Sequence, residues 1–250
     1  MKKFFKPIAI IFILFIIFSI TYYFLIFLPD KEKASPSPSP IFGTQEASQK
    51  VISLPEPKLS GSISLEEAIV KRRSRREFSQ EPLTLEQIAQ ILWSAQGITD
   101  KASGFRVTPS AGALYPLDIY LVISENGVKG VRAGVYHFSP QDFVLQRILE
   151  GDVRSALMTA SLSQEAIAKA PVNLVITAEY ERTTKKYGER GRKYVHMEAG
   201  HVGQNIYLQV ETLDLGTVSI GAFNDNEVSQ VLQLPEKHQP LYIMPIGHCL

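Results

Sequence analysis

The chain has 250 residues, of which 45% are hydrophobic, 20% charged and 10% aromatic, a composition typical of a globular protein. Its 26 basic residues balance 25 acidic ones, so the formal net charge is only +1. This balance argues against a dedicated nucleic-acid-binding protein, which requires a broadly basic face. The single cysteine, Cys249, excludes an intrachain disulfide and leaves the redox compartment open.

An uncharged apolar run at residues 7–28 is the first feature of the chain. As a helix, this run is long enough to cross the roughly 30 Å hydrocarbon core of a membrane, and it exceeds the apolar region of a cleavable signal peptide. It therefore predicts an uncleaved transmembrane signal anchor. Three preceding lysines favour a cytoplasmic tail at residues 1–6 and an extracytoplasmic location for the catalytic domain. The Ser- and Pro-rich residues 29–60 are interpreted as a linker, and residues 61–250 as one domain.

Two capping-box patterns predict the first helices of this domain. Ser64 is followed three residues later by Glu67, and Thr84 by Gln87. The residues predicted to face the core are Leu65, Ala68 and Ile69 in the first helix and Leu85, Ile88, Ala89, Leu92 and Ala95 in the second. Gly97 is expected to end the second helix, and residues 104–116 are expected to form a loop.

Strands and helices interleave in the remainder of the chain. Strands are expected at 117–124, 172–180, 217–223 and 240–247, with a hairpin whose turn lies at 139–142. Helices are expected near 152–160 and 163–169, from Tyr194 to Leu213 with Gly216 closing it, and after Asn224-Asp225. This order predicts α+β or α/β layering, with a mixed sheet flanked by helices.

The stretch "KRRSRREF" concentrates five cations in residues 71–76. One interpretation is a solvated helix end, where cations complement the helix dipole, and another is a polybasic surface patch. Ser74 lies within the cluster and adds a short hydroxyl group to several guanidinium groups. That combination suits a phosphate monoester, which is the third interpretation.

Other candidate sites are weaker. His196 and His201 are five residues apart, whereas two zinc ligands on one helical face are usually four apart, so no metal site is predicted. Ser110 lacks the nucleophile elbow of a serine hydrolase, because Thr108 stands where that motif has its first glycine. The small residues between 199 and 203 permit close helix packing, either internally or at a subunit interface.

Four blocks in fixed order resemble the nitroreductase family. They are "RRSRREF" (72–78), "PSAGALYPLDIYLV" (109–122), "YGERGRKYVHMEAGHVGQNIYLQVETLDLGTVSIGAF" (187–223) and "LPEKHQPLYIMPIGH" (234–248). The residues in these blocks are most similar to those of the SagB-type dehydrogenase branch, which includes azoline oxidases. The similarity covers residues 64–248.

The resemblance implies an FMN-binding α+β fold with a mainly antiparallel sheet, normally a homodimer with flavins at the subunit interface. It implies that Arg72 and Ser74 hold the FMN phosphate with Arg73 adjacent, and that Arg76 reaches the pyrimidine edge of the ring. The residues implied to line the flavin ring are Pro109, Ser110, Ala111, Gly112, Ser219, Ile220, Gly221 and Ala222. Lys193 and Tyr194 resemble an acid/base pair, although a tyrosine packing at a helix start is the alternative.

The sequence therefore predicts a membrane-anchored FMN-dependent oxidoreductase with ping-pong hydride or electron transfer through flavin N5. The expected donor is NAD(P)H, or a quinol if the domain lies outside the cytoplasm. The expected substrate is a small molecule or a peptide. The rival prediction is a tethered flavin- or ligand-binding module without turnover, and a third is a protein anchor for a peptide-modifying complex.

Overall fold

The computed structural model describes residues 50–250, so the predicted anchor and residues 29–49 of the predicted linker lie outside the described residues. Within 50–250, no helix combines the length and apolar character needed to cross a membrane. The strands are β1 (Val51–Ser53), β2 (Ile98–Asp100), β3 (Phe105–Arg106), β4 (Leu117–Ile123), β5 (Gly134–Ser139), β6 (Val144–Glu150), β7 (Val172–Ala178), β8 (Gly216–Thr217) and β9 (Gln239–Gly247). The helices are α1 (Leu65–Lys71), α2 (Leu85–Gln96), α3 (Arg154–Ala160), α4 (Glu165–Lys169), α5 (Glu181–Tyr187), α6 (Arg190–Thr212) and α7 (Asp225–Leu232), with a 3-10 turn at Ala111–Ala113.

Seven strands form one sheet in the order β1-β6-β5-β4-β7-β9-β8. Every neighbouring pair in it runs antiparallel. Among the described residues, parallel pairing occurs only at isolated bridges, one of which joins Ser74 to Thr217. The predicted α+β fold with a mainly antiparallel sheet flanked by helices is confirmed.

The sheet separates two hydrophobic layers. Ile119 and Leu121 of β4 point to the layer that contains α2 and α6, whereas Tyr120 and Val122 point to the layer that contains α3, α4 and α7. This alternation follows from the two-residue period of a strand. Because β4 and β7 lie between helices on both faces, both strands are almost entirely apolar in sequence.

Both predicted capping boxes begin helices. The Ser64 side chain accepts a hydrogen bond from the Glu67 amide at 3.1 Å, and Thr84 and Gln87 exchange both bonds of the box. The prediction that Leu65 and Ile69 of α1 face the core is wrong within one protomer, since these residues are 60% and 53% exposed. Only the small side chain of Ala68 is buried, so α1 lies at the surface.

The segment before the long helix differs from the sequence prediction. Residues 181–187 form α5, and α6 begins at Arg190 rather than at Tyr194. These turns carry no apolar stripe and instead pair opposite charges at helical spacing, such as Lys185 with Glu181, which periodicity does not detect. Gly216 does not close α6, because the helix ends at Thr212 and Gly216 lies in β8.

Three further segments also differ. The strand expected at 217–223 does not form over that length, since β8 covers only Gly216–Thr217. Beyond Thr217, this described segment pairs with the sheet only at the bridge of Ile220 to Ile243. The expected loop at 104–116 contains β3, which pairs with β2. Residues 51–53, which the sequence assigns to the linker, form β1 and pair with β6 at the sheet edge.

Candidate functional site

Residues 72–76, called here the basic segment, leave α1 and run beside β8. Ser74 forms a parallel bridge with Thr217, and the Arg75 amide donates to the Thr217 carbonyl at 2.8 Å. These contacts bring residues from the first family block next to those that follow β8. Two blocks separated by about 140 residues in the sequence are therefore neighbours in the fold.

Tyr207 of α6 joins the predicted residues of these two segments. Its hydroxyl lies 3.0 Å from the Ser74 hydroxyl and accepts a hydrogen bond from the Ser219 amide at 2.8 Å. The Arg72 guanidinium lies over the Tyr207 ring, 5.3 Å from its centroid, a cation–π arrangement. Sequence reasoning missed Tyr207, because its role depends on contacts far apart along the chain.

The five cations of residues 71–76 differ in their partners. Lys71 pairs with Glu67 at 2.6 Å. Arg73 turns back onto the end of α1, where its guanidinium donates to the Arg72 and Val70 carbonyls at 2.7 and 3.0 Å. Within residues 50–250, no carboxylate forms an ion pair with any arginine of the segment. The solvated-helix-end interpretation fits Lys71, whereas the Arg72 guanidinium has no carboxylate partner among the described residues.

Residues 219–222 have one side held by β9 and another side open. Ile220 exchanges backbone hydrogen bonds with Ile243 at 2.8 and 2.9 Å. Gly221 is exposed, and a Cβ added there would approach only the Tyr242 ring, at 3.6 Å. A flat ring can therefore approach this backbone closely.

Residues 109–112, called here the second loop, are fixed by the elements around them. The Ser110 hydroxyl accepts a hydrogen bond from the Tyr115 amide at 2.9 Å. Gly112 has φ +65, and a Cβ there would lie 2.8 Å from Tyr187 Oη and 3.0 Å from Lys186 Nζ. Gly112 is therefore required both by its left-handed backbone and by the close approach of α5.

The predicted acid/base pair lies on the same side of the fold as the second loop. Lys193 is exposed, and the half-buried Tyr194 packs edge-on against Tyr187 at 5.2 Å between ring centroids. A second Lys-Tyr pair, Lys186 and Tyr187, directly contacts Gly112. Sequence reasoning missed it, although "KKYGERGRKY" contains the dipeptide twice.

Glu198 is a buried carboxyl behind the second loop. It is 3% exposed, and its Oε1 has no hydrogen-bond partner among the described residues. Burial raises the pKa of Glu198 to about 7, against the opposing effects of the Ser110 hydroxyl and the Arg106 charge. Sequence reasoning missed this residue. The sequence feature that could have identified it is a glutamate on the helical face that also carries the apolar residues Val195 and Val202.

A polar cavity of about 280 Å³ is lined by residues of α2, β3, β4 and β5. Gln96 and Arg106 line it, and Arg106 donates to the Gln96 side-chain oxygen at 2.8 Å. Asp118 also lines the cavity and pairs with Arg182 at 2.8 Å. Arg106 has no ion pair among the described residues, and burial lowers its pKa.

Both halves of the predicted flavin site lie along α6, and Thr108, just before the second loop, accepts a hydrogen bond from Asn205 of that helix at 3.1 Å. Tyr207 of α6 contacts the basic segment at Ser74, and Glu198 of the same helix lies behind the second loop. Nine residues separate them, which corresponds to about 13 Å along a helix. Arg72, Ser74, Ser219 and Gly221 therefore cluster near one end of α6, and Ser110 and Gly112 lie nearer the other.

The structure combines an α+β domain that has an antiparallel sheet, a basic segment at β8 and a long helix that contacts both loops. These features can be compared with those of known protein families. The family model described as "Nitroreductase family" matches residues 69–248. The chain therefore belongs to the nitroreductase family, and it is an oxidoreductase of that family. The resemblance found in the four sequence blocks is confirmed.

Two relatives extend this assignment. The chain is 50% identical over 185 residues to MJ1384, a Methanocaldococcus jannaschii protein named as a nitroreductase, covering 74% of this chain and 91% of that one. It is 27% identical over 169 residues to the microcin B17-processing protein McbC of Escherichia coli, covering 66% and 62% respectively. The second match supports the SagB-type branch.

Two solved structures share the fold. A protein from Ralstonia eutropha named as a nitroreductase has a TM-score of 0.72 and 29% identity, covering 89% of this chain and 99% of that one. The NADPH:FMN oxidoreductase of Vibrio harveyi, complexed with NAD+, has a TM-score of 0.54 and 22% identity, covering 74% and 68%. At that identity the second match shows the fold alone.

Proposed function

We propose that the chain is a membrane-anchored, FMN-dependent oxidoreductase that works by ping-pong transfer through the flavin. The observation that carries the proposal is the cluster of Arg72, Ser74 and Ser219 around Tyr207. FMN is a phosphate joined to a flat ring. The Arg72 guanidinium, which has no carboxylate partner among the described residues, and the Ser74 hydroxyl suit the phosphate. The open backbone at Gly221 suits the ring. Membership of the nitroreductase family supports the choice of FMN as the flavin.

The residues of the cluster have separate roles in this proposal. Arg72 and Ser74 bind the phosphate, and Tyr207 keeps both in place. The backbone at Gly221 lies against the ring, and Arg76 supplies positive charge near the pyrimidine edge. When bound, FMN supplies hydride and electron transfer. Lys193 and Tyr194, with Lys186 and Tyr187 beside the second loop, are the proposed groups on the substrate side.

The proposed topology decides the electron donor. In this proposal, residues 1–6 form the cytoplasmic tail, residues 7–28 the anchor and the residues from 29 up to β1 the linker, and the catalytic domain lies outside the cytoplasm. NAD(P)H is scarce there, so a quinol is the donor that fits this location, whereas NAD(P)H fits a cytoplasmic domain. The substrate is a small molecule or a peptide, and the match to a peptide-processing protein favours a peptide.

The spectrum of the purified full-length chain tests the flavin assignment. We expect a yellow protein that bleaches under anaerobic dithionite or NADH and recovers when an acceptor is added. Dithionite reduces bound flavin whatever the natural donor, so it controls for the wrong donor. A protein that remains yellow and reducible but transfers no electrons to any acceptor supports the tethered module. A protein that stays colourless after incubation with FMN contradicts the proposal.

A homodimer with shared sites is the proposed assembly. Exposed Leu65 and Ile69 of α1, and the open space around Gly200 of α6, leave apolar and bare surface for a second copy. In the proposed dimer, the partner subunit supplies the second loop to each phosphate site. A twofold axis would then complete two equivalent sites.

Complementation between two inactive variants tests this assembly. R72A is expected to remove phosphate binding, and G112V to displace the second loop because Tyr187 and Lys186 occupy the space. If the halves come from different subunits, co-expressed variants form heterodimers with one intact site. About one quarter of all sites should then bind FMN when the two chains mix at random. Absence of FMN in a confirmed heterodimer contradicts the shared site.

A further inference from the structure

We propose that residues 181–194, called here the α5–α6 corner, form a docking surface that holds an acidic peptide segment beside the second loop. The corner comprises α5, the turn at Gly188 and Glu189, and the first residues of α6. This docking surface rests on the proposed function and deepens it, because it names peptides rich in carboxylates as the substrate class of the same site.

The α5–α6 corner carries an excess of positive charge. It contains six cations but only two carboxylates, in a chain whose formal net charge is +1. Arg182, Lys185 and Arg192 pair with carboxylates. The other three cations are exposed and form no ion pair within residues 50–250, and they are Lys186, Arg190 and Lys193. Their charge is therefore available to a molecule outside the protomer.

Stability of the fold does not explain these unpaired cations. Arg190 and Lys193 lie in the first turn of α6, which contains no acidic residue. Cations at that end of a helix oppose its dipole, and like charges three residues apart repel each other. Glu189 precedes the helix but pairs with Arg192. A carboxylate from a bound ligand would remove both costs.

Two tyrosines hold the unpaired cations in defined positions. Arg190 lies over the Tyr194 ring, 5.8 Å from its centroid, and Lys186 lies 5.4 Å from the Tyr187 centroid. The two rings pack edge-on at 5.2 Å. These cation–π contacts connect α5 to α6 and leave the cations exposed to solvent. A ligand that pairs with cations already in position loses less side-chain entropy on binding.

The α5–α6 corner is tightly packed and adjoins the second loop. Gly191 lies against α5, since a Cβ added there would be 3.0 Å from the Thr184 backbone. Lys186 reaches the second loop, because a Cβ added at Gly112 would be 3.0 Å from its Nζ. A chain bound along the corner therefore passes the loop that the proposed function places at the flavin ring.

The spread of the cations favours a peptide over a compact anion. Glu181 lies 3.5 Å from both Lys185 and Lys237, so one carboxylate serves two exposed lysines. The positive surface thus extends from Lys237 along α5 to Arg190. A phosphate is best bound by donors that converge on it, whereas separate cations along a surface complement several carboxylates of an extended chain. The two half-buried tyrosine rings add apolar area that peptide side chains can cover.

Fluorescence anisotropy with the full-length chain tests the docking surface. The probe is a fluorescein-labelled peptide that alternates glutamate with glycine, and the control probe has glutamine in place of glutamate. We expect only the acidic probe to bind, with an affinity that falls as salt is added. R190E should weaken its binding by about tenfold, because the substitution replaces an attraction by a repulsion.

Two variants with the same change of charge are the matched controls. Arg132 is exposed just before β5, near the end of β4, whereas Arg182 of the corner bonds the Tyr115 carbonyl before the start of β4. R132E should bind the probe as the wild type does. Arg75 is exposed in the basic segment, and R75E should weaken binding by less than about threefold. Equal losses in R75E and R190E would mean that the probe responds to any basic surface, which overturns the proposal.

Other occupants of the corner give different results. If NADPH binds in a manner that depends on Arg190 and the acidic probe does not bind, the corner recognises a nucleotide phosphate and the proposal is wrong. If R190E separates a dimer in sedimentation, the corner contacts a second copy and the proposal is also wrong. A chain that binds FMN and is reduced by dithionite but ignores the probe overturns the docking surface alone. A chain that stays colourless with FMN contradicts the proposed function, while probe binding to it still decides whether the corner holds acidic peptides.

Discussion

Replacement of Arg72 by alanine is expected to lower FMN affinity by about one hundredfold, or about 2.7 kcal/mol. The guanidinium of Arg72 has no carboxylate partner among the described residues and is held against the Tyr207 ring. Its removal takes a charge-assisted bond from the proposed phosphate site without leaving a buried carboxylate unpaired. Quenching of FMN fluorescence during titration with the apoprotein measures the change.

The matched control for Arg72→Ala is Lys71→Ala. Lys71 contributes the same formal charge one residue earlier, but it is exposed and already paired with Glu67. Its removal should change FMN affinity by less than about threefold, since exposed pairs contribute little. Equal losses in both variants would mean that the segment attracts the phosphate only through its diffuse charge. An unchanged affinity in Arg72→Ala would contradict the assignment of the phosphate site.

The sequence was informative where structure depends on neighbouring residues. Ser64, Thr84 and Asn224 all cap helices, because a side-chain oxygen at the first turn bonds amides two or three residues away. The strands β4 and β7 were visible as apolar runs for a related reason. Each is buried on both faces, so nearly all of its residues are apolar.

The sequence was less informative where structure depends on distant contacts. Tyr207 joins Ser74 and Ser219 across separate segments, and nothing in the local pattern around it predicts this. The family blocks supplied the identities of Arg72, Ser74 and Gly221, but their proximity to each other comes from the pairing of Ser74 with Thr217. Local patterns therefore predicted the elements, and the fold determined the site.

The exposed apolar face of α1 shows a different limit. Periodicity predicts that Leu65 and Ile69 are covered, yet it does not state which molecule covers them. In one protomer they are exposed. The same spacing thus fits a core helix and a helix at a subunit interface, and only the arrangement of the other elements distinguishes the two.

Replacement of Glu198 by glutamine is expected to change how the stability of the fold depends on pH. The pKa of Glu198 is about 7 in the folded chain, because burial disfavours the charged form, whereas an unfolded glutamate titrates near 4.3. The folded state therefore binds this proton more tightly, and its stabilising effect is fully present below about pH 4. It is lost as the pH rises through 7.

The expected size follows from this pKa difference. Between pH 5 and pH 8 the wild type should lose about 2 to 3 kcal/mol of unfolding free energy that E198Q does not lose. Urea denaturation at the two pH values measures the difference between the chains. E189Q removes an exposed carboxylate next to the same helix and should follow the wild type. Parallel pH dependence in the wild type and E198Q would mean that Glu198 is ionised throughout this range.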